Sequence, residues 1–241
     1  MYTPHPVFRD PEGVGLFLWR YMDFPRFYSL LSSSNLFFPS AYVLHKLDPF
    51  EGSLPRKEYE LMLRKMDHDS LARTHDHLRK HMFISCWHVN DTESLAMWQL
   101  YSQKGSGIAV KTALADFKEA FRNTEEDVFV GKVIYVDYES EVFYEGEADP
   151  YLAMNAFEYF VHKRDIYRHE QELRAVVMDQ DAAKSDLPGK QIAVDLNHLI
   201  KDVIVAPETP KWTLDMVNSL LSDRFPKVIA KFSAFHHEPL V

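Results

Sequence analysis

The chain has 241 residues, of which 46% are hydrophobic and 14% aromatic, and that supply of large apolar side chains excludes a disordered polymer and can fill the core of one large domain or two small ones. A formal net charge of −9 disfavours loose, charge-driven association with nucleic acid, although it leaves room for a local basic groove. The single Cys excludes an internal disulfide, as is usual in a reducing compartment.

The opening Met1-Tyr2-Thr3-Pro4-His5-Pro6 has neither the basic nor the apolar region of a secretory signal. No apolar run approaches the roughly 18 residues of a membrane helix. The expectation is a cytoplasmic chain with no membrane partner. Residues 16–21 are an apolar run ending in Arg20-Tyr21 and read as a strand. Asp23 and Pro25 start a helix in which Phe27, Leu30 and Leu31 recur at helical spacing, and Ser32 to Asn35 end it. Residues 36–38 form a second short strand. Residues 41–55 read as a loop centred on Asp48-Pro49-Phe50-Glu51-Gly52. Residues 56–80 are charged and amphipathic and predict one or two surface helices.

A buried strand is expected at 82–87. A helix capped by Asp91 or Thr92 then runs to about Ser102, and Lys104-Gly105-Ser106-Gly107 turns into a strand at 108–110. A helix at 114–122 leads to one long strand over 128–138. A helix over 149–166 carries Met154, Phe157, Phe160 and Val161. Strands follow at 172–178, 191–195 and 203–205, then a helix at 213–222 and a closing strand at 228–232. No repeat, no low-complexity linker and no G-x-G-x-x-G is present, so a dinucleotide-binding doubly wound sheet is excluded. The expected fold class is α+β: a single domain over 1–241 with a helical insertion at about 56–80. It is built on a mixed, mostly antiparallel sheet, or on two small packed sheets, with surrounding helices.

Two constellations could carry chemistry. Leu95, Trp98 and Tyr101 are spaced by three on one helix face, with Met97 and Leu100 on a second apolar face. Such a helix either packs into the core or lets Trp98 and Tyr101 wall a pocket for a planar ligand. In Glu170-Gln171-Glu172-Leu173-Arg174, strand alternation points Glu170, Glu172 and Arg174 the same way. The arginine can hold one carboxylate ionised while the other acts as base or electrostatic stabiliser, or all three form ordinary ion pairs. Arg20 at a strand end either anchors a phosphate or carboxylate or caps the strand. His77 and His81 are i, i+4, but their neighbours Arg73, Asp76, Arg79 and Lys80 look like a solvated face. No H-E-x-x-H and no second cysteine accompanies them, so no metal is expected. Cys86 reads as core.

These residues in their order, from Arg20-Tyr21 through Asp48-Pro49-Phe50-Glu51, Ile84-Ser85-Cys86-Trp87, Met97-Trp98-x-x-Tyr101 and Gly107-Ile108-Ala109-Val110 to Glu170-x-Glu172 and Arg174, resemble the bacterial domain-of-unknown-function family 2971 over roughly residues 16–205. Members of that family commonly carry Asn before the Asp-Pro, where this chain has Leu47. The opening also resembles ADP-ribosyltransferase folds. That resemblance implies Arg20 and Tyr21 on a first strand holding NAD, with Ser85 on a following strand and Trp98, Tyr101 and Arg174 completing the dinucleotide site. It also implies Glu172 or Glu170 as the catalytic charge, NAD as substrate, and a role as an effector in bacterial conflict or phage defence. Two other readings stay open. One is a non-enzymatic nucleotide- or peptide-binding module. The other is a metal-dependent nuclease using Asp48, Glu51, Glu170 and Glu172.

Overall fold

The computed structural model describes residues 1–13, 15–102, 106–143, 155–181 and 188–236. Strand β1 (Phe17–Asp23) runs directly into helix α1 (Phe24–Ser33). The Asp23 carboxylate accepts from the Arg26 N–H at 2.8 Å, and Ser34 closes the helix in the left-handed region with φ 55°. Strand β2 (Asn35–Pro39) follows. Ser40 then caps α2 (Ala41–His45) by accepting from the Val43 N–H. That helix lies in the segment expected to be loop. The cap signal was a Ser ahead of five helix-compatible residues, and the Asp-Pro turn behind it drew the reading away.

The stretch expected to be helical at 56–80 consists of α3 (Arg56–Met62) and α4 (His68–His81). Strand β3 (Met82–Val89) leads to α5 (Leu95–Tyr101), which is capped by Ser94 rather than Asp91 or Thr92. Then come β4 (Gly107–Ala113) and α6 (Leu114–Glu119), shorter than expected.

The long strand expected over 128–138 is two. β5 (Phe129–Lys132) pairs with β8 (Glu172–Met178), and β6 (Ile134–Val136) pairs with β7 (His162–Arg164). The break falls where β8 stops. Val133 N–H still donates to the Glu172 carbonyl at 2.8 Å, but Gln171 is left-handed (φ 40°), so no partner strand continues. The first part of the helix expected over 149–166 lies outside the described residues. Beyond it, only one turn is α-helical, α7 (Glu158–Val161). The apolar spacing is real, since Phe157, Phe160 and Val161 are buried, but pairing with β6 captures residues 162–164 as β7, and a 3-10 helix (Asp165–Glu170) follows. The chain ends through β9 (Gly189–Ala193), α8 (Leu196–Leu199), β10 (Asp202–Val205), α9 (Lys211–Ser222) and the two-residue β11 (Lys231–Phe232).

The main sheet has seven strands in the order β11-β10-β4-β1-β3-β8-β5, antiparallel except for β10 with β11, and two-stranded sheets β2–β9 and β6–β7 flank it. The α+β expectation, with a mixed and mostly antiparallel sheet, is borne out. No helix of the described residues is long and apolar enough to cross a membrane.

Register fixes which side chains share a face. Trp19 pairs with His88, and His88 with Glu172, so Trp19, Tyr21, Cys86, His88, Glu172 and Arg174 stand on one face. Leu18, Arg20, Met22, Phe83, Ser85, Trp87, Leu173 and Ala175 stand on the other. On that second face Leu18, Met22, Phe83, Trp87 and Leu173 join Phe27, Phe117, Val217 and Leu221 from α1, α6 and α9 in one apolar core. The first face is covered at one end by α5, through Trp19, Tyr21, Met97 and Trp98, and at the other by α2, α4 and α7, through Ile84, Leu71 and Phe160.

The junction between the two halves of the sheet is narrow. β1 pairs with β4 across seven residue pairs and β3 with β8 across seven, but β1 and β3 pair only at Leu18–Val89 and Trp19–His88. Beyond Trp19 the two strands are not laddered to each other.

Candidate functional site

Glu170 and Glu172 come together, but not by strand alternation. Glu170 closes the 3-10 helix, Gln171 between them is left-handed, and Glu172 opens β8. A non-glycine residue there stores backbone strain of a kind often found beside functional groups. What joins the carboxylates is Lys163 on β7, whose ammonium donates to Glu170 Oε2 and, at 3.1 Å, to Glu172 Oε2.

Arg174 is 1% exposed and reaches further. Its Nε donates to Glu172 Oε1 at 2.8 Å, and its two terminal nitrogens donate to Glu51 Oε1 and Oε2 at 2.7 and 2.9 Å. The Phe160 carbonyl accepts from it at 2.6 Å. The fork geometry suits the bidentate grip on Glu51. Tyr101, 43% exposed, donates to Glu170 Oε1 at 2.6 Å, and the Glu172 N–H donates to the Tyr135 hydroxyl at 2.8 Å. Three carboxylates and two cations therefore share one buried network, and removing any member strands an ion in low dielectric.

The network holds its charges fixed. Burial would raise the Glu172 carboxyl, but Arg174 and Lys163 outweigh it and hold the group well below the ordinary carboxylate range. Burial would lower Lys163 and Arg174, but the facing carboxylates raise both. Burial and Glu170 push the Tyr101 hydroxyl up, and burial pulls His88 down. Cys86 on the same face is pushed up by burial and by Glu172, so it is no nucleophile. Fixed ions of this kind serve as an electrostatic scaffold rather than as a proton relay. Both Glu172 oxygens are occupied, and the side chain is 4% exposed.

The aromatic residues divide. Trp98 is core: it meets Tyr21 edge-on at 4.8 Å between ring centroids, and its Nε1 donates to Glu93 at 3.0 Å. Among the described residues Tyr21 makes no hydrogen bond to Glu170 or Glu172, and its hydroxyl instead accepts from the Ser94 N–H at 3.0 Å. Only Tyr101 carries the helix to the glutamates. Each expected apolar face is split: Trp98 of the first and Met97 of the second are buried, whereas Leu95 and Tyr101 of the first and Leu100 of the second are exposed.

Arg20 and Ser85 form a separate place. They lie on the face opposite Glu172, where β1 and β3 are no longer laddered and the Ser40–Phe83 bridge brings the end of β2 beside β3. Arg20 donates to the Ser85 hydroxyl at 2.6 Å, to the Cys86 carbonyl at 3.0 Å and to the Phe37 carbonyl at 3.4 Å, and its guanidinium lies 5.7 Å from the Trp87 ring centroid. Trp87 Nε1 donates to the same Ser85 hydroxyl at 3.1 Å. The side chain is half-buried, and desolvation pulls its pKa down to about 10. Unlike Arg174, Lys163, Arg164 and Arg79, which face Glu51, Glu170, Asp48 and Asp76, Arg20 has only neutral acceptors among the described residues.

The carboxylates considered for a metal-dependent nuclease are likewise each held by a cation, Asp48 by Arg164 at 3.0 Å and the rest as above. A polar cavity of about 250 Å³, lined by Glu119, Arg122, Asn123, Asp195 and His198, contains none of the expected site residues.

Sequence reasoning passed over Lys163 and Tyr135. Lys163 was hidden in a presumed helix, and its signal is that only strand pairing of 162–164 with β6 aims it at the glutamates. No family model matches this chain, and no curated protein or solved structure matches it either.

Proposed function

We propose that this chain is a nucleotide-binding module rather than a hydrolase or transferase, with Arg20 as the anion anchor. The observation that carries this reading is the contrast between two arginines. Arg174 is saturated by two carboxylates, whereas Arg20 is half-buried where β1 and β3 part and has only neutral acceptors among the described residues. A desolvated guanidinium without a counter-ion favours a phosphate or carboxylate, which it can grip bidentately. Ser85 adds a hydroxyl to the same spot, and the Trp87 ring lies 5.7 Å from the guanidinium. The glutamates support the fold instead of the chemistry, because Glu172 has no free oxygen and stands on the other face of the sheet.

ADP-ribosyl transfer is the second reading, and one observation favours it. Glu170 reaches the partly exposed Tyr101, so one carboxylate of the pair lies close to solvent. A fixed carboxylate there could stabilise positive charge on a ribose. Calorimetric titration with NAD and ADP-ribose, alongside an assay for released nicotinamide, separates the two. Binding of both ligands without nicotinamide release is the expected result. Release that disappears in Glu170→Gln would replace the module by an enzyme.

A further inference from the structure

We propose that His77 and His81 form a two-imidazole site for a divalent transition metal of the zinc, copper or nickel kind. They sit one turn apart on α4, so they project from the same side of the helix, and their ring centroids are 4.1 Å apart. His81 is 7% exposed. Its Nδ1 lies 2.7 Å from the Asp179 carbonyl oxygen. A carbonyl can only accept, so Nδ1 carries the proton and Nε2 presents its lone pair. Metal-binding histidines are oriented in this way, with the far ring nitrogen tied to a carbonyl or carboxylate.

The Nε2 of His81 is buried and has no hydrogen-bond partner. Buried polar atoms rarely lack one, and each case asks for an explanation. The neighbouring ring is His77, an exposed side chain whose rotamers exchange rapidly. Turning His77 outward makes room for an ion between the two rings. Imidazole suits zinc, copper and nickel.

Asp179 is not a third ligand, since its carboxylate accepts from Lys190 at 2.8 Å and from the Asp181 N–H at 3.0 Å. Among the described residues no cluster of three or more His, Cys, Asp or Glu is placed to hold a metal, so water completes the shell. Arg79 lies between the two histidines on α4. Its guanidinium donates to the Glu51 and Gly52 carbonyls at 2.9 and 3.2 Å.

Titration of the full chain with Ni²⁺ or Zn²⁺, followed by calorimetry and by the melting temperature, tests the site. The expected result is saturable binding that weakens by about tenfold or more in His77→Ala and in His81→Ala and is unchanged in the control His68→Ala. The metal should raise the melting temperature of the parent chain and not that of His77→Ala. If His81→Ala does not fold, His77→Ala decides alone, because His77 is exposed. Metal affinity within about twofold of the parent in His77→Ala would overturn the proposal, as would no binding by the parent chain.

Discussion

Arg20 and Glu172 belong to the same sheet but stand on opposite faces. Trp19 pairs with His88 and His88 with Glu172, which places those three together and turns Arg20, the next residue along β1, away from them. Arg20 and Glu172 are therefore parted by the sheet itself. Each keeps its own company: Arg20 has Ser85 and Trp87, and Glu172 has Lys163 and Arg174.

The buried network makes a stability forecast. Replacing Arg174 with Met leaves Glu51 and Glu172 without their shared cation in a site closed to water. The expected loss is about 3–5 kcal/mol, the usual range for breaking a buried pair from one side. Urea unfolding of the folded variant measures it. Pairing Arg174→Met with Glu51→Leu should recover part of the loss, because one stranded charge is then gone. A loss under about 1 kcal/mol in the single variant would show that the network contributes little.

Acid should act on Glu172. Its carboxyl is held below the ordinary value, so the folded state binds its proton less readily than the unfolded chain does. The stability it contributes is complete above the ordinary carboxylate pKa and declines as pH falls below that value. Unfolding free energies measured from neutral pH downward should therefore fall less steeply in Glu172→Gln than in the parent over the acid range. Parallel curves would mean that Glu172 titrates normally.

Two histidines act at milder acidity. Burial lowers both His75 and His162 to about 4, and Arg79 adds to the effect at His75. Each is a base with a depressed folded pKa, so the unfolded chain takes the proton first. Stability is complete above the ordinary value of 6.5 and is lost as pH falls from there towards 4. Each group accounts for about 3 kcal/mol over that window. His75→Gln should flatten the decline between pH 6.5 and 4 in denaturant titrations. An unchanged slope in that variant would place the acid sensitivity elsewhere.

Much of the fold could be read from the residues. Asp23 and Pro25 announced α1, and the apolar runs at 82–87 and 172–178 became the paired strands β3 and β8. Glu170, Glu172 and Arg174 were rightly grouped, although the alternation invoked for Glu170 does not exist, because Gln171 turns the chain. What stayed hidden was non-local. Nothing in the order of residues shows that residues 129–132 pair with β8 and lose that partner where β8 begins at Glu172, which divides 128–138 into two strands, the second pairing with 162–164 and so aiming Lys163 at the glutamates. Trp98 and Tyr101 have the same helical spacing as a pocket wall, but only packing partners decide that Trp98 is core and Tyr101 is rim. The face on which Arg20 lies depends on the register between β1 and β3, which is set by tertiary contacts.

The anchor role of Arg20 is tested most directly by titrating ADP-ribose into the parent chain, Arg20→Ala and Glu172→Gln while following tryptophan fluorescence, since Trp87 lies beside the guanidinium. Saturable binding is expected in the parent and in folded Glu172→Gln with similar affinity. Arg20→Ala should bind at least about tenfold more weakly, as for loss of one charge-assisted contact. Equal affinity in Arg20→Ala and the parent, or weakened binding confined to Glu172→Gln, would contradict the account.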